Sequence, residues 1–95
     1  DVRGTGCALR MIEVKGRTAG SPTVTVSHNE VMCALNRPDA FILALVEVDG
    51  NLTRTTYIQH PFTNPPDYSV ASANYDIARL KQTGEVILEE EQRWQ

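Results

Sequence analysis

Aromatic side chains are scarce in this sequence: two Phe, three Tyr and one Trp make up 6% of its 95 residues. Tyr57, Tyr68, Tyr75 and Trp94 recur at no regular spacing, which excludes a stacking platform for single-stranded nucleic acid. Cysteine is limited to Cys7 and Cys33, with no CxxC pair and no histidine at zinc-ligand distance, so a structural zinc site is excluded. Reduced thiols are the expectation for both, with a disulfide as the alternative, and Cys33 falls in a helical pattern where it serves as a small apolar residue. Apolar runs are short. The longest, residues 40–46, has the length of a buried strand and falls far below the roughly 20 residues a membrane span needs. No glycine-rich phosphate loop with a Walker lysine is present, which excludes a P-loop motor. Positive charge is in deficit, with a net charge of −3, so the chain as a whole is not a basic nucleic-acid binder. No signal peptide is visible, and a cytoplasmic setting is expected.

What is there is ordinary for one small globular domain spanning residues 1–95, with 41% hydrophobic and 22% charged residues. Much of the acidity is concentrated at one end, in Glu85 and Glu89-Glu90-Glu91. Residues 1–37 are slightly basic, with Arg3, Arg10, Lys15, Arg17 and Arg37 against Asp1, Glu13 and Glu30.

Residues 8–15 alternate as a strand, with Leu9, Met11, Glu13 and Lys15 on one face and Ala8, Arg10, Ile12 and Val14 on the other. Residues 16–22 form a loop by their glycines and proline. The β-branched run 23–26 predicts a second strand. Ser27 and Glu30 have capping-box spacing, which predicts a helix through Val31, Ala34 and Leu35 that ends near Asn36, ahead of Pro38. An apolar strand over 40–48, a turn at Asp49-Gly50-Asn51 and a strand over 52–58 make a hairpin. Residues 59–72 carry Pro61, Pro65 and Pro66 and read as an extended surface segment. Asn74 or Asp76 caps a short helix through Ile77, Ala78, Leu80 and Lys81 that Gly84 closes. A strand over 86–88 and an acidic helical tail follow. This order implies an α/β (α+β) domain built on a single mixed β-sheet flanked by helices.

One face of the first strand carries chemistry. Hydrolysis of a phosphodiester with a divalent cation needs carboxylates to hold the ion and a group that orients the attacking water. Residues two apart on a strand project from the same face, about 6.5–7 Å apart. Glu13 can therefore hold the ion while Lys15 reaches the water or a phosphate oxygen. Val14 is expected to point into the core and to offer its carbonyl as a further ligand. Asp1 comes alongside if residues 2–7 turn between neighbouring strands, as Gly4 and Gly6 permit. The competing reading is a solvated Glu-x-Lys pair on an exposed strand face.

Asp1-Val2, a short glycine-containing interval, then Arg-Met-Ile-Glu-Val-Lys-Gly-Arg at 10–17 resembles the Asp…Glu-x-Lys core of the PD-(D/E)XK nuclease superfamily. More narrowly, the chain resembles the domain named after the C-terminal region of the plant protein NO VEIN. That domain recurs in bacterial helicase-like and restriction-associated proteins. Thr-Val-Ser-His-Asn-Glu at 25–30, the apolar strand from Ala40, and Ala-Ser-Ala-Asn-Tyr-Asp-Ile at 71–77 extend the resemblance over most of the chain. It implies a restriction-endonuclease-like core, and a Mg²⁺- or Mn²⁺-dependent endonuclease activity on DNA within a larger helicase- or restriction-type protein. It implies Asp1 and Glu13 as metal ligands and Lys15 as the catalytic lysine. It leaves a site role open for Asn29 and Glu30, with capping as the alternative for Glu30. The superfamily places a helix and a strand before its motif aspartate, so the expectation is a core lacking its N-terminal elements; the alternative is that Asp1 is not the counterpart of that aspartate.

Arg17, just beyond the motif, is the better phosphate-binding candidate, because Arg10 lies on the face opposite Glu13. His28 stands at the start of the expected helix, and His60 has no evident partner. The alternative function is a catalytically silent module of the same fold that binds nucleic acid or protein. A small domain without any nucleic-acid role would require the motif to be coincidence. An open sheet edge favours a homodimer, and no membrane association is expected.

Overall fold

The computed structural model describes residues 11–64 and 71–94, so every residue singled out above from 1–10 and 65–70, Asp1, Cys7, Arg10 and Tyr68 among them, lies outside them. The described elements are β1 (Met11–Thr18), β2 (Thr23–Ser27), α1 (His28–Asn36), β3 (Phe41–Asp49), β4 (Leu52–Gln59), β5 (Ser72–Asp76), α2 (Ile77–Thr83) and β6 (Glu85–Arg93). A mixed four-stranded sheet runs in the order β1-β3-β4-β6, and β2 and β5 form a separate two-stranded sheet. β1 and β3 are parallel; β4 joins β3 by a hairpin, and β6 lies antiparallel to β4. The fold is therefore α+β, as the element order implies, with β2 and β5 paired with each other instead of with the main sheet.

The core lies on one face of the four-stranded sheet. Phe41, Leu43 and Leu45 from β3 and Ile58 from β4 meet Val24 and Val26 from β2 there. Val31, Cys33 and Ala34 from α1, Ile77 and Leu80 from α2, and Phe62 complete the cluster. The alternation of β2 and β3 determines this: every second residue faces the cluster. Gly84 closes α2 at a point where backbone and side chain approach closely; a Cβ there would lie 2.5 Å from Ile58 Cγ2 and 2.9 Å from the Leu80 carbonyl oxygen.

Several local expectations change. β1 continues through Gly16, Arg17 and Thr18 because β3 runs on beside it, pairing Arg17 with Glu47 and Thr18 with Val48; the loop begins only at Ala19. Residues 59–64 are not all surface: Phe62 is buried against Phe41 and Tyr75, with ring centroids 6.4 and 5.0 Å away. The acidic end is a strand, not a helix. β4 supplies its partner, and the pairing is reinforced by Arg54 to Glu91 at 2.7 Å, Tyr57 to Glu90 at 2.9 Å and Trp94 Nε1 to Thr53 Oγ1 at 2.8 Å. Cys33 is disulfide-bonded, which corrects the expectation of a reduced thiol there. No described helix is long and apolar enough to cross a membrane.

Candidate functional site

Along β1, half-buried Met11, Glu13 and Lys15 alternate with exposed Ile12 and Val14. The face that holds the Glu-x-Lys pair is thus the one turned toward the core, beside Leu43 and Leu45, their register partners on β3. Both side chains are 22% exposed, so the solvated-face reading does not hold. The same alternation overturns the expectation for Val14. Its side chain is 60% exposed, because the helices and the small sheet cover the opposite face.

The third member of the constellation comes from α1. The helix begins where Ser27 takes an extended conformation and its Oγ accepts the Glu30 backbone N–H at 3.1 Å. Glu30 reciprocates, its Oε1 accepting the Ser27 backbone N–H at 2.9 Å, so the capping box read from the sequence is formed. The same carboxylate also meets Lys15. The lysine Nζ lies 2.9 Å from Glu30 Oε1 and 3.2 Å from Oε2, and 3.6 Å from Glu13 Oε2. Capping and contact with Lys15 are therefore not alternatives for Glu30; one carboxylate does both.

The electrostatics of the two acids diverge. Burial, followed by the neighbouring Glu30 carboxylate, pushes the Glu13 carboxyl above its ordinary value, while Lys15 works against that rise. Burial also opposes ionisation of Glu30, but the Ser27 N–H, Lys15 and the Glu13 carboxyl outweigh it and hold Glu30 below its ordinary value. The two acids that share one ammonium are thus shifted in opposite directions.

Other expected residues fall around this cluster with less involvement. Asp1 lies outside the described residues. Arg17 is exposed on the Glu13 and Lys15 face, one alternation further along β1. Asn29 is exposed at the helix start, and the His28 backbone N–H donates to the Ala71 carbonyl at 2.7 Å. His60 does have partners, contrary to expectation: its ring nitrogens lie 3.3 Å from Asp39 and 3.3 Å from Glu85. A cleft of about 420 Å³ opens elsewhere, between residues 61–64, β5 and α2, lined in part by Phe62, Asn74, Tyr75 and Arg79. None of Glu13, Lys15 or Glu30 lines it.

The contact between Glu30 and Lys15 had a partial signal in the sequence. Ser-x-x-Glu marked the helix start, but placing that start over β1 required the parallel pairing of β1 with β3. Among the described residues no three His, Cys, Asp or Glu side chains converge. Two carboxylates do, and that number suits Mg²⁺, which takes one or two and keeps several waters.

Residues 2–58 match the family described as Protein NO VEIN, C-terminal, a span that contains Glu13, Lys15 and Glu30 and ends at Ile58 in β4. No curated protein and no solved structure matches the chain.

Proposed function

We propose that this chain, which belongs to the NO VEIN C-terminal family, is a metal-dependent nuclease-like domain acting on DNA within a larger helicase- or restriction-associated protein. The observation that carries this reading is the half-buried cluster of Glu13, Lys15 and Glu30, in which two carboxylates from different elements reach one ammonium. Glu13 and Glu30 are the residues that would hold Mg²⁺ or Mn²⁺, with Asp1 as the ligand expected from the resemblance. The Val14 carbonyl stays a candidate through its backbone alone. A bound divalent cation would polarise a phosphoryl oxygen and acidify a water. Lys15, released from its carboxylates, would orient that water or a phosphate oxygen. Arg17 would hold a neighbouring phosphate at the exposed end of the same strand face. A stable disulfide is uncommon in a reducing cytosol, so a cytoplasmic setting rests on the nuclease reading alone.

A second reading is a catalytically silent module that binds nucleic acid or protein. The pairing of Lys15 with both carboxylates favours it, since a lysine so neutralised serves the fold without any chemistry.

Nicking of supercoiled plasmid with Mg²⁺ or Mn²⁺ separates the two. The nuclease reading expects metal-dependent nicking that is lost in Glu13→Gln and Lys15→Ala. It also expects Mn²⁺ to raise the melting temperature of the wild type and not that of Glu13→Gln. Undiminished nicking by Lys15→Ala would remove lysine from the mechanism. DNA retention without nicking or a Mn²⁺ response would establish the silent module.

A further inference from the structure

The cleft between residues 61–64, β5 and α2 has a volume of about 420 Å³, within the range of roughly 300–1,000 Å³ that small-molecule sites occupy. Two aromatic rings and a leucine make its apolar wall. Phe62 and Leu80 are buried, Tyr75 is half-buried, and the Phe62 and Tyr75 rings stand 5.0 Å apart at an interplanar angle of 57°. A third flat ring can pack against such a pair, offset or edge to face. The polar part of the lining is rich in donors. Arg79 is exposed on α2, and its guanidinium pairs with no acid among the described residues. Asp76, the one acid among the described lining residues, spends its Oδ1 on the Ala78 and Arg79 backbone N–H groups, at 3.0 and 3.4 Å. Asn74 accepts the Thr25 hydroxyl through Oδ1 at 2.6 Å, which leaves its amide nitrogen to donate. Burial pushes the Tyr75 phenol above its ordinary value, so it keeps its proton at neutral pH and serves as a further donor.

We infer that this cleft is a binding site for a small ligand that joins a flat ring to an anionic group, the chemistry shared by nucleotides and aromatic carboxylates. A cationic ligand would find only Asp76, whose carboxylate already serves the start of α2. An anion finds a planar fork of five donors that matches carboxylate or phosphate oxygens and has no acid of its own to displace. The ring fills the rest of the cleft, with Phe62 and Tyr75 offering it faces and edges and Leu80 completing the apolar wall. The site is held from both sides before any ligand arrives. Phe62 packs on Phe41 as well as on Tyr75, and the Asp76 cap fixes the first turn of α2, which carries Arg79. Such preorganisation lowers the cost of binding. None of Glu13, Lys15 or Glu30 lines the cleft, so the inference stands or falls independently of the nuclease reading.

Titrations followed by amide chemical shifts test this, with AMP, UMP and indole-3-acetate as the anionic rings. Adenosine, uridine and indole-3-acetamide are their uncharged counterparts, and inorganic phosphate is the anion without a ring. At least one anionic ring should bind saturably below about 1 mM, the affinity of a weak but specific small ligand, and shift the signals of Phe62, Asn74, Tyr75 and Arg79. Its uncharged counterpart and phosphate should each bind about tenfold more weakly, as the loss of a charge-assisted hydrogen bond or of the ring contact requires. Arg79→Gln, at an exposed position, should keep the wild-type circular dichroism. It should weaken the anionic ring about tenfold and leave its uncharged counterpart unchanged. Which of the three rings binds tells a purine or pyrimidine nucleotide from an aromatic carboxylate. Absence of saturable binding by all three up to about 5 mM overturns the inference; a cleft already filled by chain outside the described residues would give that result. Equal affinity for a ring and its uncharged counterpart, wild-type binding by Arg79→Gln, or shifts confined to residues 13–17 also overturn it.

Discussion

Replacing Glu30 by glutamine should destabilise the protein, while replacing Glu13 by glutamine should not. Glutamine at position 30 can still accept the Ser27 N–H through its amide oxygen, so the capping box survives and the change isolates the ion pair with Lys15. That pair is 2.9 Å long, with side chains 22% and 18% exposed. Fully exposed pairs contribute roughly 0.2–1 kcal/mol and breaking a buried one costs about 3–5 kcal/mol. A pair at this depth, whose lysine keeps Glu13 at 3.6 Å, lies between them, at about 1–2 kcal/mol. For a domain of this size that corresponds to a fall of roughly 5–15 °C in melting temperature. The sign at Glu13 is opposite. A carboxyl whose folded value is raised binds protons more readily in the folded state, so its ionisation costs stability as pH rises through that value. Glu13→Gln removes that cost along with the longer contact to Lys15, and stability at pH 7 should be unchanged or slightly higher. Thermal melts of the three proteins from pH 3 to pH 8 check both signs. Glu30 is held below its ordinary value, so its contribution is complete above that value and disappears as pH falls through the folded one. The gap between wild type and Glu30→Gln should therefore close in acid. If Glu13→Gln costs more than Glu30→Gln at pH 7, the account of the cluster is wrong.

Gly84→Ala would place a methyl group 2.5 Å from Ile58 Cγ2 and 2.9 Å from a carbonyl oxygen, and denaturant titration should show a loss of about 1–3 kcal/mol. Thr56 is fully buried on β4 and its hydroxyl has no hydrogen-bond partner among the described residues; Thr56→Val keeps the shape, removes an unsatisfied group, and should raise stability by about 1 kcal/mol. Because Cys33 is disulfide-bonded, maleimide added in denaturant without reductant should leave it unlabelled, and mass spectrometry after proteolysis reads this directly.

Where the residues that decide a feature are close in the chain, the sequence is a good guide. The capping box needs only Ser27 and Glu30, and Asp76 and Gly84 bound α2 in the same local way. Features decided by distant partners were less legible. Gly16 suggests a loop until the run of β3 beside it is known, and Glu89 to Glu91 suggest a solvated helix until β4 supplies a partner. Alternation divides β1 into two faces but does not say which one is covered. That choice depends on where α1 and the β2–β5 ribbon settle, so Val14 faces solvent while Glu13 and Lys15 turn inward. The bond between Lys15 and Glu30 spans fifteen positions and follows from the same placement.

The double duty of Glu30 bears on how this protein tolerates change over generations. Its carboxylate begins a helix and steadies a half-buried lysine, so a lineage that lost every trace of chemistry would still gain from keeping it. Persistence of that residue is therefore poor testimony about activity. Glu13 is the better witness. Glutamine there should leave stability unchanged or slightly higher, so selection for stability alone would not hold an acid at position 13. Where an acid endures there, something other than the fold is asking for it.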